Sequence, residues 1–392
     1  MKETYTWISQ LRTTLPFWVQ SLVLILVLCL GRLVVSGDVG TFILLNEKRI
    51  SAKEYDQNVT PRNAGYDGQF FYRYALDPFS DDRVYQQGIG DYGILIDDPS
   101  YRRSRVLYPT LAWALAFGQE GFVPYSLILV NVLAFVLLCV GFERVVVSVR
   151  APAESCYLSW FIFGAYLSTA RSLSDLLATT CLVWCYIFMT RQRYLAFTVV
   201  AAAALFSKET SAFFLAPMMV WLGCRDMTWP TVFVTGFKRA VLALPVLAFI
   251  LWKGFLSNLY GSTSSNFGDL WSKHFGLPFV GMLESMNTGV MVVKAGYLVW
   301  TLILFGLCIR QIYRQRLALD VLQSFVWIGL LLTVSFAQPI YTDHWSFVRV
   351  LAPIHVFGLL FLVRGPRGIP NWFWGVSWLA LLGTLLYVVR FA

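Results

Sequence analysis

The chain has 392 residues, of which 57% are hydrophobic and only 14% are charged. A water-soluble protein of this size would carry nearer to about a quarter of charged residues, so the composition excludes a soluble enzyme. The net charge of +9 does not indicate a nucleic-acid-binding protein, because most Lys and Arg residues lie in short loops at the ends of apolar stretches.

Apolar runs of about 14 to 22 residues recur from Phe17 to the C-terminus, near the length that a helix needs to cross a bilayer. They are continuous rather than alternating, which favours helices over barrel strands. The sequence therefore predicts an all-α polytopic membrane protein with a single transmembrane domain over residues 1–392. The predicted spans, about eleven in number, lie at 17–36, 122–142, 156–170, 173–190, 194–207, 210–223, 240–256, 290–309, 317–338, 347–363 and 371–390.

The basic residues predict the orientation of these spans. Short cytoplasmic loops are enriched in Lys and Arg, and a cytoplasmic N-terminus gives every predicted inner loop at least two of them, such as Arg144 with Arg150 and Arg191 with Arg193. Two large loops, at 37–121 and 257–289, then face away from the cytoplasm.

The first large loop, roughly 85 residues long, is too rich in Tyr, Phe and Leu to be a linker. Residues 69–79 and 106–117 predict short helices with aromatic side chains that lie at the membrane surface. The acidic pairs at 81–82 and 97–98 have glycines nearby, which is more typical of turns than of a metal site.

Asp67 is the first candidate for chemistry in this loop. If a helix begins just after Gly65, Asp67 lies in its first turn, where free N–H groups and the helix dipole favour an ionised carboxylate. An ionised Asp within reach of a hydroxyl group can act as a general base. The other interpretation is an N-cap that merely starts the helix, and the local sequence leaves both open.

Several short elements resemble motifs of the GT-C superfamily of membrane glycosyltransferases. They are closest to the branch that contains the second mannosyltransferase of GPI-anchor synthesis and its bacterial relatives. Residues 66–71 (YDGQFF) resemble the Asp motif of the first outer loop in that family. The other elements follow in the same order at 105–109 (RVLYP), 166–175, 206–210 (FSKET) and 346–353 (SFVRVLAP).

The resemblance implies the GT-C fold and an inverting glycosyltransferase that moves a sugar from a polyprenyl-phosphate donor to an acceptor hydroxyl. The reaction would take place on the extracytoplasmic face, with Asp67 as the general base. A phosphate leaving group needs charge stabilisation rather than a proton donor. The expected acceptor is a glycan, a glycolipid or a secreted protein, and the expected location is a bacterial inner membrane. No cofactor, metal ion or nucleic-acid partner is expected.

The resemblance also supplies the remaining site residues. The donor phosphate is expected to contact Arg349, Lys208 and Arg105, and the substrates are expected to contact Tyr66, Gln69, Tyr108, Asp175 and His344. Arg349 is the strongest phosphate candidate, because a cation at the mouth of an apolar helix marks a functional site.

Structural alternatives to these roles stay open. Arg349 could extend its charge to the lipid headgroups, and Lys208 could pair with its neighbour Glu209. Asp175 could pair with Arg171, four residues earlier.

Two other functions compete with glycosyl transfer. A transporter or flippase is the default for a protein with so many helices, but transporters usually carry repeats and ionisable residues near the middle of the membrane. Here the predicted spans are almost free of charge at their centres, and the polar chemistry is concentrated in the outer loops. The third hypothesis is a non-catalytic assembly partner, against which Asp67 and its aromatic neighbours argue.

Overall fold

The computed structural model of the chain describes residues 15–50, 58–79, 94–224, 232–260, 275–277, 280, 291–315, 320–336, 340–341, 344–365 and 368–391. These residues form α-helices, short 3-10 helices and isolated bridges, such as the one between Asn46 and Arg62. The α-helices are, in chain order, α1 Phe17–Ser36, α2 Gly68–Leu76, α3 Pro99–Arg103, α4 Leu107–Leu115, α5 Val123–Ser148, α6 Phe163–Ala170, α7 Asp175–Thr190, α8 Tyr194–Ser207, α9 Ala212–Cys224, α10 Val232–Tyr260, α11 Met291–Gln315, α12 Val321–Ser335, α13 His344–Val350, α14 Ala352–Val363 and α15 Asn371–Phe391.

Five helical segments in the described part of the chain are long and apolar enough to cross a membrane: Phe17–Ser36, Glu120–Ser148, Ala240–Tyr260, Lys294–Arg314 and Asn371–Arg390. Large apolar side chains on α1, α10 and α15 are exposed, among them Val34, Leu251 and Leu379. Apolar side chains facing outward along such helices suit a lipid environment. The architecture is that of an all-α membrane protein.

Every predicted span overlaps one or two of these helices. Four apolar helices are shorter than a full crossing, namely Asp175–Thr190, Tyr194–Ser207, Val321–Ser335 and Ala352–Val363. The total of about eleven spans and the GT-C fold therefore stay predictions.

The predicted span at 347–363 consists of two helices, α13 and α14, which are separated at Leu351. Pro353 explains the break, because proline has no N–H group and its ring clashes with the carbonyl four residues earlier, here that of Arg349. The break leaves Arg349 in the last turn of the short helix α13.

Helix α2 is buried along its whole length, whereas the sequence predicts an amphipathic helix at the membrane surface. It packs against α4 and α5, and the ring of Phe71 meets that of Tyr108 edge-on with 5.3 Å between centroids. Phe71 and Tyr72 instead join a core that the first loop shares with α5. Asp67 therefore lies at the start of a buried helix.

Helix α4 fits its prediction better, since it falls within residues 106–117 and exposes Leu111 and Leu115. The second large loop, 257–289, lies mostly outside the described residues, as do residues 1–14 and the pair Asp81 and Asp82.

Candidate functional site

The position of Asp67 is set by a close backbone approach at the first residue of α2. A Cβ atom on Gly68 would lie 2.3 Å from the carbonyl oxygen of Arg171 and 2.9 Å from that of Ile43, so only glycine fits there. The side chain of Asp67 makes no capping hydrogen bond to α2. Asp67 occupies the N-cap position of α2, but its carboxylate is turned to other partners.

Those partners are two arginines from distant parts of the chain. Arg102 Nη1 donates to Oδ1 of Asp67 at 2.8 Å, and Arg349 Nη2 donates to Oδ2 at 3.0 Å. The side chain of Asp67 is 21% exposed, while those of Arg102 and Arg349 are 14% and 10% exposed. The carboxylate thus lies between two largely buried guanidinium groups and keeps a limited opening to solvent.

Arg349 reaches Asp67 because α13 lies directly on α6. A Cβ atom on Gly164 of α6 would lie 2.6 Å from the carbonyl oxygen of Val348, so any larger residue would push α13 away. The guanidinium of Arg349 also lies over the ring of Tyr66, 5.1 Å from its centroid. Cation–π contacts of this kind favour a fixed orientation of the charge.

The guanidinium of Arg349 has donor capacity that its neighbours do not use. Its Nη1 lies 3.5 Å from Oδ2 of Asp175, which is an ion pair without a hydrogen bond. Neither Nη1 nor Nε has a hydrogen-bond partner within the described residues. Buried donors of this kind normally find an acceptor, and Arg349 could take an oxygen of a bound anion.

Arg102 is a site residue whose contact with Asp67 the sequence did not predict. Its Nε and Nη2 donate to the two carboxylate oxygens of Asp97 at 2.9 and 3.0 Å, and its guanidinium lies 4.1 Å from the centroid of the Phe70 ring. Asp98 caps α3 by accepting from the backbone N–H of Tyr101 at 3.0 Å. The sequence shows Arg102 shortly after the acidic pair Asp97 and Asp98, which indicates a local ion pair. The contact of Arg102 with Asp67 depends on the tertiary fold.

Lys208 and Glu209 do not pair with each other. Lys208 Nζ contacts Oδ1 of Asp175, and Glu209 accepts two hydrogen bonds from Arg105, at 2.6 and 2.9 Å. Helix α8 ends at Ser207 and Lys208 has an extended backbone, so consecutive side chains point in opposite directions.

The local pair predicted between Asp175 and Arg171 is also absent from the described structure, where Asp175 pairs with Lys208 and Arg349. Because α7 begins only at Asp175, the helical spacing of four residues does not apply to Arg171. Arg171 instead donates to the carbonyl oxygen of Thr41 at 3.3 Å.

Six of these residues form a continuous chain of ion pairs, and Arg105 with Glu209 forms a separate pair whose charge also acts on Asp67. We call the two sets together the Asp67 cluster. Its members are Asp67, Asp97, Arg102, Arg105, Asp175, Lys208, Glu209 and Arg349. Acidic and basic groups alternate along it, so each buried charge has a partner of opposite sign.

The electrostatics of the cluster keep Asp67 ionised. Burial alone would raise its pKa, but the charges of Arg349 and Arg102 outweigh burial and hold the pKa of Asp67 well below its usual range. The pKa of Asp97 is also lowered, since the hydrogen bonds and charge of Arg102 exceed the opposing effect of burial. The ligand-free carboxylate of Asp67 is therefore fully charged and weakly basic.

Among the residues expected to contact the substrates, Tyr66 lies at the Asp67 cluster. Its hydroxyl is 3.3 Å from Oγ of Ser346. Gln69 is buried and accepts from the backbone N–H of Asn46 at 3.1 Å.

Tyr108 is fully buried; its hydroxyl donates to the carbonyl oxygen of Leu127 at 2.9 Å and accepts from Asn131 at 2.8 Å. These hydrogen bonds connect α4 to α5, and Tyr108 has no exposed surface that a ligand could contact. The side chain of His344 lies outside the described residues.

The described residues contain no group of three or more His, Cys, Asp or Glu side chains that could hold a metal ion. What the cluster offers is an ionised carboxylate next to the guanidinium group of Arg349, whose Nε and Nη1 have no acceptor within the described residues. Such spare donors suit an anion beside the carboxylate. No family model, curated protein or solved structure matches the chain.

Proposed function

We propose that this protein is an inverting glycosyltransferase of the GT-C type. It would move a sugar from a polyprenyl-phosphate donor to an acceptor hydroxyl at the extracytoplasmic surface of a bacterial inner membrane. The observation that carries the proposal is the position of Asp67 between Arg102 and Arg349, at hydrogen-bond distances of 2.8 and 3.0 Å.

The proposed reaction is a single displacement. Asp67 takes the proton of the acceptor hydroxyl while the oxygen attacks the anomeric carbon. The bond between that carbon and the phosphate oxygen breaks, and its electron pair leaves with the polyprenyl phosphate. Attack on the face opposite the leaving group inverts the anomeric centre. The phosphate leaves as an anion, so it needs cationic stabilisation and no proton.

The two arginines beside Asp67 lower its basicity, and one of them, Arg349, also offers a way to restore it. A carboxylate bound by two guanidinium groups is a poor base, because their charges lower its pKa. The unused donors on Nε and Nη1 of Arg349 would attract the donor phosphate. If the phosphate draws Arg349 away from Asp67, the carboxylate becomes more basic when the donor is in place. Catalysis would then depend on donor binding.

Two further cations of the cluster fit a supporting role at the phosphate. Lys208 is held by Asp175, and Arg105 is held by both oxygens of Glu209. Since their charges are largely neutralised locally, they would add less to phosphate binding than Arg349 does. Tyr66 would limit the mobility of the Arg349 guanidinium through its ring.

The proposal can be tested in cells that lack the gene. Surface glycans and secreted proteins would be compared by mass spectrometry after complementation with the wild-type, Asp67→Asn and Asp77→Asn chains. Asp77 is the C-cap residue of α2, at the end opposite Asp67, and its carboxylate accepts from the backbone N–H of Phe79 at 3.0 Å. We expect one sugar to be lost with Asp67→Asn and restored with Asp77→Asn.

Complementation by Asp67→Asn at the wild-type level would reject the proposal. A flippase would differ in a second measurement. It would move the lipid-linked sugar across vesicle membranes with the bond between sugar and phosphate intact.

A further inference from the structure

A cavity of about 420 Å³ lies at the end of the helices opposite Asp67. Helix α7 begins at Asp175 in the Asp67 cluster and ends at Thr190, which lines the cavity. At a rise of 1.5 Å per residue, the two sites are about 22 Å apart along this helix. Helix α14 likewise begins just after Arg349 and ends next to Arg364, another lining residue. The cavity is therefore a separate site.

Three arginines converge on this cavity, namely Arg144, Arg191 and Arg364. The single acid in the lining, Asp320, pairs with Arg364 and caps α12 by accepting from the backbone N–H of Gln323 at 2.8 Å. Within the described structure, Arg144 and Arg191 have no carboxylate at ion-pair distance. The three arginines and one aspartate give the lining a formal charge of +2.

The helix termini at the cavity reduce this positive charge without cancelling it. Helices α5, α7 and α14 end there and α12 begins there. With about half an elementary charge at each terminus, three C-termini and one N-terminus contribute roughly −1. The cavity keeps a net charge of about +1 and favours an anion.

Tyr186 provides an uncharged donor at the same place. It lines the cavity and is only 8% exposed, and in the described part of the chain its hydroxyl has no hydrogen-bond partner. A phenol in such a position normally finds an acceptor. A phosphate oxygen in the cavity would supply one.

The surroundings of the cavity are those of a lipid site. Trp221 lines it, and the neighbouring side chains of Val147 and Val220 are both 63% exposed. Tryptophan is enriched at membrane–water interfaces, and basic pockets between helices bind anionic headgroups. Exposed apolar side chains beside the arginines would contact the acyl chains, which a soluble anion lacks.

We propose that this cavity binds the phosphate-bearing headgroup of an anionic membrane lipid, on the side that the sequence predicts to be cytoplasmic. The phosphodiester would contact Arg144, Arg191 and the hydroxyl of Tyr186, while the glycerol and acyl chains follow the apolar rim. This site is independent of the sugar-transfer chemistry proposed for Asp67.

Native mass spectrometry of the full-length protein can test this site, with phosphatidylglycerol titrated into phosphatidylcholine-containing detergent micelles. We expect wild-type protein to retain phosphatidylglycerol selectively. The affinity should fall about fivefold for each arginine removed in Arg144→Gln and Arg191→Gln, given the usual contribution of one basic residue. Tyr186→Phe should weaken retention as well. The matched control is Arg193→Gln, because Arg193 is exposed nearby but does not line the cavity.

An equal loss of affinity in Arg193→Gln would overturn the proposal, because it would indicate a general effect of surface charge. Inorganic phosphate, titrated alone, separates the two sources of a phosphate group. Saturable binding of inorganic phosphate that needs Arg144 and Arg191, with no preference for phosphatidylglycerol, would reject a lipid site. All the substituted arginines are exposed, and thermal unfolding of each variant would show that the fold is retained.

Discussion

Arg349 Nη2 lies 3.0 Å from Oδ2 of Asp67, although the two residues are 282 positions apart in the chain. The same guanidinium lies 3.5 Å from Asp175 through Nη1. Arg349 thus connects the first loop to the start of α7, and changes to it should affect both donor binding and the basicity of Asp67.

The first prediction concerns the pH dependence of Arg349→Ala. The charge of Arg349 holds the pKa of Asp67 below its usual range, so its removal should raise that pKa. A general base must be ionised, and the acid limb of kcat/KM should therefore move to higher pH, by about 1 unit or more. The apparent KM for the donor should rise as well.

The control for this experiment is Arg62→Ala. Arg62 also pairs with an aspartate of the first loop, Asp38, at 3.3 Å, but it has no contact with Asp67 in the described structure. Its pH profile should match that of the wild type. An unchanged acid limb in Arg349→Ala would show that Arg349 does not control Asp67.

The second prediction concerns acid stability. Because the pKa of folded Asp67 is depressed, its ionised form stabilises the fold at pH values above about 4, the ordinary range for an unfolded Asp. This contribution is lost as the pH falls toward the folded pKa. Wild-type protein should therefore unfold at a higher temperature than Asp67→Asn at neutral pH, and the gap should narrow toward about pH 3. A difference in unfolding temperature that does not change with pH would contradict the ion pairs of Asp67 with the arginines.

The third prediction concerns the buried pair of Lys208 and Asp175. The side chain of Asp175 is 2% exposed, so Lys208→Met would leave a buried carboxylate with Arg349 as its remaining ion-pair partner. We expect a loss of about 3 kcal/mol in the free energy of unfolding. The double variant Lys208→Met/Asp175→Leu should recover part of it, since no unpaired charge remains.

Chemical denaturation in detergent would measure this difference. Arg62→Gln, which breaks a more exposed pair, should cost less than about 1 kcal/mol. Equal losses for the buried and the exposed pair would be inconsistent with burial as the cause.

The fourth prediction concerns Gly68. In Gly68→Ala the new Cβ would meet backbone oxygens of Arg171 and Ile43 that cannot move independently. We expect a large loss of folded protein or a displaced α2, measured by yield and thermal unfolding. Gly254→Ala is the matched control, because no atom lies within 4 Å of its added Cβ, and it should be neutral or slightly stabilising. A normal yield and stability for Gly68→Ala would refute the close approach.

The sequence correctly predicted an all-α membrane protein, because continuous apolar runs indicate membrane helices directly, whereas its total of about eleven spans stays a prediction. It was less successful where tertiary contacts decide the outcome. The aromatics of α2 gave the same signal for a membrane surface as for an internal core, and only their packing against Tyr108 distinguishes the two. Pro353 was visible in the sequence, but the division of one span into α13 and α14 was not predicted.

Tertiary contacts also limited how much of the site could be predicted. Asp67, Arg349, Lys208, Arg105 and Asp175 were predicted from motifs, and the structure brings them into one cluster. Their pairing was not predictable, because ion pairs that join segments far apart in the chain leave no local pattern. Arg349 shows this most clearly, since its partner Asp67 lies 282 residues away.

The role of Asp67 as general base is tested most directly by the turnover of a polyprenyl-phosphate sugar by purified Asp67→Asn protein in nanodiscs. Each arginine keeps one carboxylate in this variant, Asp97 for Arg102 and Asp175 for Arg349, so the fold and donor binding should persist. We predict a loss of about a hundredfold or more in the rate of sugar transfer, with the donor still bound. Turnover near the wild-type rate would contradict the account.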